Sequence, residues 1–483
     1  MGIMKVVIIG AGPVGALAAL YAAERNHEVE IYEFRDDLDL SIPAVIPLNF
    51  TKSINLTLSE RGVNALSHAR AAGLLEEVLR NTVPVSARMV HGESLIRGPT
   101  SNTLKYDVHG GVLSVVDRGQ LNERLLLELT RYENVKVFFN HKLVSANLDR
   151  QVATFEKQLP VHPQDGQIER AREEIFVNFD LMIGADGAHS ATRHQLGKYA
   201  RLDLSQSWLD IFWCEFKITA TKEGRPRLDP THLHIWPQKE FMFIALPDLE
   251  GTFTCNLFAS EAIFQELETH TENLISFFTK NFPGLIPNLI DPVSLASQFL
   301  KNPHQPLVTL RCNKYHYSNS CVILGDAAHV MVPFYGQGLN TGFEDVRILF
   351  EDFLDNIPIT TKEGRSSMAS ALAAYSKVRV PDVHIITDLA LRNYEEMRTG
   401  VTSRSYFIRK WVEETLSVRV PSLGWATLYR RVAFTNMRYT EVKSRFEHQR
   451  RVLQSLAAFG AILILLLVVY CLLEYRFDAM AWN

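Results

Sequence analysis

Gly10, Gly12 and Gly15 stand in the spacing G-x-G-x-x-G, directly after the β-branched run MKVVII (4–9) and directly before an Ala/Leu-rich stretch that reaches about Asn26. In such a turn the first glycine permits a tight bend, the second lets the backbone approach a pyrophosphate, and the third lets the helix pack close to the strand. The unpaired N–H groups of the helix N-terminus then face the anion. Glu33 ends a second strand read over 28–33. A carboxylate about 20 residues beyond the glycines is placed to accept hydrogen bonds from ribose hydroxyls. Glycine turns are common, but a plain turn does not account for Glu33, and the combination points to a dinucleotide.

Two further patches have the same grammar. In LMIGADGAHSATR (181–193) an apolar strand runs into Asp186-Gly187, followed by Ser190 and Arg193. The bland alternative is a strand, a turn and a helix capped by Ser190. In CVILGDAAHVMVPFYGQGLNTGFED (321–345) a buried strand ends at Gly325-Asp326, a Pro/Gly-rich loop follows, and a helix starts near Gly338. One carboxylate at a strand's carboxyl end, with a helix N-terminus beside it, suits a polyhydroxyl chain and an anionic ring edge. His329 lies three residues past Asp326 and reads as a structural or cofactor-adjacent histidine, not an acid–base partner. No Ser/His/Asp order is legible. The five cysteines lie far apart, with no C-x-x-C pair or Cys/His cluster, so neither a zinc site nor a disulfide framework is expected.

The elements that must position these residues begin as strand–turn–helix–strand, the opening of a doubly wound sheet. A loop is read over 36–50, a helix over roughly 60–80, strand and turn character over 85–117, a helix over about 118–132, and a strand at 135–139. A charged, Pro-containing stretch at 158–173 reads as a surface hairpin. Residues 205–260 alternate apolar and polar positions and are rich in aromatics, which predicts a second, antiparallel sheet. Helix follows at 261–282, and 366–450 reads as mostly helical. The 483 residues are 47% hydrophobic and 22% charged, which excludes a disordered chain, and the net charge of −4 leaves no basic field to attract nucleic acid.

The chain's two ends differ. Residues 3–23 are mostly apolar, but Gly10, Gly12, Pro13 and Gly15 break the run, and only Lys5 is basic, so a signal peptide is not expected. Position 6 is Val, which fails the myristoylation pattern. Leu456 to Leu473 is uncharged over eighteen residues. At 1.5 Å per residue that is about 27 Å of helix, near the thickness of a bilayer core. Arg438, Lys443, Arg445, Arg450 and Arg451 precede it, so the bulk of the chain is expected on the cytoplasmic side.

Together the three patches resemble the aromatic-hydroxylase class of FAD-dependent monooxygenases, which has one dinucleotide-binding domain, for FAD, and none for NADPH. No second G-x-G-x-x-G occurs here. The resemblance implies that Gly10, Gly12, Val14, Gly15, Glu33 and Arg35 serve the ADP half of FAD. It implies that Asp326 binds the ribitol, and that Thr57, Arg118, Leu143, Asp186, Ala191, Gly338, Leu339 and Asn340 are further cofactor contacts. Pro333, Phe334, Tyr335 and Gln337 are expected over the flavin. A narrower match is carried by SINLTLSERG (53–62), ARMVHG (87–92), LHIWP (233–237), FMFIALP (241–247), PFYGQGLNTGFED (333–345), PDVHIITDLALRNYEEMR (381–398) and the terminal apolar run. These are similar to the kynurenine 3-monooxygenase family. That resemblance implies Arg88 and Tyr106 on the carboxylate of L-kynurenine, with Asn393 and Tyr429 also touching the substrate. On residue type alone, Arg88 suits a bidentate carboxylate contact, with a surface ion pair as the bland alternative, whereas the tyrosines read first as half-buried core residues and Asn393 as a helix-surface residue.

The fold expected is α/β, with a Rossmann-type FAD-binding domain made from 1–84, 108–204 and 311–365. An antiparallel-sheet substrate domain takes 85–107 and 205–310, a helical C-terminal part 366–450, and a transmembrane helix 456–473. The resemblance implies NADPH- and O₂-dependent hydroxylation of kynurenine through a hydroperoxyflavin, with no metal, at the outer mitochondrial membrane. Two alternatives stay open. A membrane-bound flavin hydroxylase or epoxidase acting on a lipid would need an apolar pocket that Arg88 does not face. A non-enzymatic flavin-binding scaffold would dock partners at a membrane.

Overall fold

Residues 3–35, 55–94, 98–158, 172–357 and 362–481 are described by a computed structural model. Lys5–Ile9 is β-branched and buried, as a strand covered on both faces must be. It pairs in parallel with Glu28–Tyr32 on one side and Leu181–Gly184 on the other. Val135–Phe138 extends the sheet beyond Glu28–Tyr32, and Cys321–Ile323 extends it beyond Leu181–Gly184. The short strand His316–Tyr317 closes that edge antiparallel. The order brings the three glycine- and aspartate-bearing turns to the carboxyl ends of three adjacent parallel strands, where open α/β sheets bind ligands.

Helix α1 (Pro13–Ala23) has proline in its first turn and no acidic residue there. Proline's missing N–H is no loss at that position. The helix is apolar on nearly every side and is correspondingly buried. Helix α2 (Gly338–Arg347) leaves the 321–337 patch and packs on α1. Helix α3 (Lys362–Arg398) then spans 37 residues, α4 (Arg404–Arg419) follows it, and α5 (Tyr439–Ala481) ends the described chain.

An eight-stranded sheet holds the middle of the chain, in the order His329–Val330, Gln305–Cys312, Leu204–Ile218, Phe253–Ala259, Met242–Pro247, His232–Pro237, Ala87–Ser94, Gly98–Lys105. One face packs Phe216, Trp236 and Phe243 against Phe278 and Phe282. The other packs Ile235, Met242, Ile244 and Phe258 against Phe334 and against Ile386, Tyr394 and Met397 of α3.

The structure corrects three expectations. The helix read over 60–80 is two helices, Glu60–Ser67 and Leu74–Arg80, because Arg70 (φ 57°) and Gly73 (φ 79°) take left-handed conformations that end a right-handed path. The helix read over 261–282 is also broken, at His270, whose backbone (φ −122°, ψ 64°) leaves the helical region. The second sheet is not wholly antiparallel, since His232–Ile235 runs parallel to Ala87–Val90. The loop read at 36–50, and residues 159–171 of the hairpin read at 158–173, lie outside the described residues. The strands flanking the latter, Val152–Gln158 and Arg172–Asn178, pair antiparallel.

The apolar run lies within α5, and Tyr439–Val468 is the stretch among the described residues long and apolar enough to cross a membrane. Its most apolar part is not buried by the rest of the chain, unlike a core helix.

Candidate active site

A cavity of about 340 Å³ runs from the glycine turn to the eight-stranded sheet. At one end it is lined by Gly12, Pro13, Val14, Thr57, Arg118, Ala185, Gly187, Asp326, Gly338 and Leu339. At the other it is lined by Arg88, Tyr106, Trp213, Leu233, Ile244, Leu246, Asn256, Phe258, Met397 and Tyr429. The loop Pro333–Gly336 borders both groups. Phe334 meets Phe258 edge-on at 4.8 Å, Tyr335 stacks on Tyr429 at 5.3 Å, and the Thr57 hydroxyl donates to the Gly336 carbonyl at 3.5 Å.

The glycines divide the labour of the first turn. A Cβ on Gly10 would lie 2.6 Å from the Ala185 carbonyl oxygen, and one on Gly15 would lie 2.0 Å from the Gly10 oxygen. Those two positions are closed by the fold itself. A Cβ on Gly12 would meet nothing within 4 Å, because it would project into the cavity. The space kept clear at Gly12, beside the N-terminus of α1, is the cradle a pyrophosphate requires. Asp326 is exposed while 321–325 and 327–329 are buried, and it lines the cavity at the N-terminus of α2. Arg118, first residue of the helix Arg118–Leu129, adds a cation to this end. The described residues therefore fit FAD.

Other sequence-derived cofactor residues lie beside the cavity without lining it. The Glu33 carboxylate accepts from the Ala11 N–H at 2.8 Å and from the Arg35 guanidinium at 2.7 Å. Burial pushes this carboxyl up, but Arg35 and the Ala11 N–H outweigh it, and the group is held below its ordinary range. It braces the glycine turn. Asp186 accepts from the Ser190 hydroxyl at 2.6 Å and from the Thr192 N–H at 2.9 Å, and so ties down the start of the helix Ala191–Tyr199. Burial raises its carboxyl despite those bonds. Its neighbours Ala185 and Gly187 are the ones that meet the cavity. Leu143 is buried in the strand His141–Asn147. Asn340 donates to the Thr57 and Gly336 carbonyls and accepts from the Ser59 N–H, which pins the loop to α2. Gln337, expected over the flavin, instead turns its side chain away, where its Oε1 accepts from the Tyr439 hydroxyl at 3.1 Å.

At the far end, Arg88 is 5% exposed. It comes from the strand Ala87–Ser94, in register with Leu233. Its guanidinium lies 5.4 Å from the Tyr106 ring and 4.8 Å from the Tyr429 ring, and those two rings stack at 4.8 Å. One Nη donates to Asn393 Oδ1 at 3.4 Å, and Nε has no partner. Asn393 does not line the main cavity. Its amide donates to the Phe334 carbonyl at 2.7 Å, so it holds the loop and the arginine together. Among the described residues no carboxylate makes a direct ion pair with Arg88, although the charge of Glu396 reaches it and favours the guanidinium's charged form. Burial raises the Tyr106 and Tyr429 phenols, so both stay neutral and supply hydroxyls instead of charge. A buried, permanently charged fork with no carboxylate in direct contact is suited to receive one.

Two groups of residues, His329 apart, were not singled out by sequence reasoning as part of the site. The apolar walls Trp213, Leu233, Ile244, Leu246, Phe258 and Met397 read as core. For the strand residues among them the one signal was the alternation within 205–260, which sends every second residue to one face; Met397, on α3, had none. The other group is a buried charge network under the cavity. Glu344 receives Arg61 and Arg379, and Asp345 receives Arg379 and His329. His329 Nε2 meets Asp345 at 2.7 Å with both side chains fully buried, so this histidine is structural and unconnected to Asp326. No group of ligands able to hold a metal occurs among the described residues.

Residues 3–381 match the family described as FAD binding domain. Among solved structures, 2-methyl-3-hydroxypyridine-5-carboxylic acid oxygenase superposes over 88% of this chain and 99% of its own, with a TM-score of 0.62 at 17% identity. PqsL of Pseudomonas aeruginosa, a probable FAD-dependent monooxygenase, covers 84% of this chain and 100% of its own, with a TM-score of 0.62 at 18% identity. Fold and cavity thus define a flavoprotein with the FAD-binding monooxygenase architecture. Sequence carries the matter further. Proteins named kynurenine 3-monooxygenase are 52% identical in Neurospora crassa, over 93% of this chain and 89% of that one, and 51% identical in Chaetomium globosum, over 93% and 95%. The chain belongs to the kynurenine 3-monooxygenase family.

Proposed function

We propose that this protein is an NADPH- and O₂-dependent flavoprotein monooxygenase that places one hydroxyl on the ring of L-kynurenine, giving 3-hydroxykynurenine. The observation that carries the reading is Arg88, buried between Tyr106 and Tyr429 with no direct ion-pair partner, at the opposite end of the cavity from Gly12 and Asp326. It disfavours a lipid substrate, for which an unpaired buried guanidinium would be a penalty.

In this reading Gly12, Val14, Arg118, Asp326 and the N-termini of α1 and α2 hold FAD, which when bound supplies electron transfer from NADPH and activation of O₂. Gly10 and Gly15 shape the turn, and Glu33 with Arg35 braces it. Thr57, Leu143, Asp186, Ala191, Gly338, Leu339 and Asn340 complete the cofactor set, some by contact and some by fixing the loops. Arg88, Tyr106 and Tyr429 take the substrate's α-carboxylate. Asn393 positions Arg88 and the Phe334 carbonyl. Trp213, Leu233, Ile244, Leu246 and Phe258 clamp the aromatic ring and exclude water, which matters because a fixed ring in a dry pocket reacts without first reorganising solvent. Pro333, Phe334 and Tyr335 form the loop between the two halves of the cavity, and Gln337 fastens it to Tyr439. The division into a discontinuous FAD-binding part, a substrate part and a helical part follows the same reading.

The apolar stretch of α5 and the basic residues before it support a membrane anchor with residues 1–450 on the cytoplasmic side. We assign that membrane to the outer mitochondrial membrane. The catalytic test is NADPH oxidation by the purified yellow protein with and without L-kynurenine, with the product identified by mass spectrometry. Substrate-stimulated oxidation and a gain of one oxygen atom are expected. Stimulation by lipids or unrelated aromatics in preference to kynurenine would overturn the reading.

A further inference from the structure

Helix α4 has an unpartnered apolar corner. Phe407, Ile408 and Trp411 are 41%, 64% and 67% exposed. At about 100° per residue these positions fall within one third of the helix surface. Contiguous exposed apolar surface of this kind marks an interaction face, and two facts indicate its occupant. First, a cleft is lined jointly by Ile408, Arg409 and Val412 of α4 and by Arg450, Leu453 and Ala457 of α5. The uncharged run of α5 starts at Leu456. The apolar corner of α4 therefore stands beside the turn at which α5 changes from polar to apolar. Second, Lys443, Arg450 and Arg451 are exposed on the preceding turns of α5, with Arg445 paired to Glu441 and Glu447 also exposed, which leaves a net basic collar that complements anionic headgroups. Tryptophan is favoured at a membrane–water boundary, and tryptophan with phenylalanine is usual on the apolar face of helices lying in it.

We propose that the amino-terminal half of α4 is a second membrane contact. Phe407, Ile408 and Trp411 sit in the headgroup–acyl boundary of the leaflet that α5 enters. The inference rests on α5 spanning a bilayer and goes beyond it, because a single span would leave α4 in water. It also gives the lipid a place in the enzyme. Tyr406, Arg409, Lys410 and Glu413 of α4 line a small cavity whose other wall is Tyr335, Asn393 and Tyr429. Lipid contact on one side of α4 thereby steadies the back wall of the substrate site on the other.

The test uses the full-length, FAD-loaded protein in lipid nanodiscs of phosphatidylcholine and phosphatidylserine, with and without acyl chains brominated near the headgroup. Difference emission between the wild type and Trp411→Phe isolates Trp411 from the other five tryptophans. Quenching of the Trp411 component by bromine is expected, together with protection from aqueous acrylamide. The double variant Phe407→Gln/Ile408→Gln should lose both while keeping its FAD content. A Trp411 component open to acrylamide and untouched by bromine, in protein that still resists a carbonate wash, would overturn the proposal and leave the α5 anchor standing. Protection from both quenchers would overturn it too, since a protein surface such as a second copy would then cover the corner. Release by carbonate would remove the anchor and the proposal together.

Discussion

Replacing Arg88 by methionine is the sharpest perturbation of the substrate site. Methionine keeps most of the volume and flexibility of the arginine stem, so the change removes a charge and a hydrogen-bonding fork without opening a large cavity. With substrate bound, the α-carboxylate would lose its charge-assisted partner in a site where Arg88 is 5% exposed and the two flanking phenols are neutral. Truncating one member of a buried charge pair costs about 2–5 kcal/mol. At 1.4 kcal/mol per tenfold, that is a loss of about 30- to 4,000-fold in affinity for kynurenine. Without substrate the sign reverses. The free protein carries a buried guanidinium with an unpartnered Nε and no directly paired carboxylate, held by Asn393, by the faces of Tyr106 and Tyr429 and by the more distant charge of Glu396. Exchanging such a cation for an apolar side chain is often neutral or stabilising. Arg88→Met should therefore bind FAD normally, melt no lower than wild type and lose kynurenine. The assay is Kd by titration of the flavin spectrum, with a kynurenine analogue lacking the α-carboxylate as control, which both proteins should bind alike. An unchanged Kd for kynurenine would refute the assignment. An equal loss for the analogue would show that Arg88 acts by packing alone.

Asp326→Ala and Gly12→Val should each give folded protein with little bound FAD, because Asp326 faces the cavity and a side chain on Gly12 would occupy its empty space without touching protein; a normal flavin-to-protein ratio in either would contradict the site. Gly15→Val should instead fail to fold, since its Cβ would fall 2.0 Å from the Gly10 oxygen, and circular dichroism separates the two outcomes. Burial pushes the Glu413 carboxyl up to about 7, against the pull of Arg409 and Arg431. A carboxyl whose pKa is raised in the fold holds its proton while the unfolded chain releases one, so stability falls as pH rises from about 4.5 to 7. Glu413→Gln should match wild type near pH 5 and exceed it at pH 8, by roughly 3 kcal/mol at most; a difference that does not grow with pH would show that the carboxyl is not held protonated.

The cofactor end was legible because its requirements are local. A tight turn, a close backbone approach and a strand end each demand a particular residue at a particular step, so Gly10, Gly12, Gly15 and Asp326 announce themselves within a few positions of chain. The resemblance to a family located Arg88, Tyr106, Asn393 and Tyr429, whereas residue type alone left each of them open. Alternation within 205–260 identified the second sheet and missed its parallel pair, because strand direction is a property of the connection and not of the strand.

What only the tertiary structure decided is which groups meet. Glu33 and Asp186 are carboxylates at strand ends, as Asp326 is, yet the first two spend their oxygens on neighbouring N–H and hydroxyl donors while Asp326 alone faces the cavity. Gln337 turns toward Tyr439, 102 residues away, and Asn393 reaches back 305 residues to Arg88. Arg61, Glu344, Arg379, Asp345 and His329 form one network from four separate segments. A chain can carry the donors and acceptors of such a network without showing that they are paired. A hydrogen bond depends on distances of about 3 Å and on direction, and both are set by the packing of elements far apart in the sequence. By itself the sequence determined the turn chemistry, the period of the strands and the length of the apolar run, each written in neighbouring residues. The fold decided where the unpaired cation would be buried, and with it the place where a carboxylate can bind.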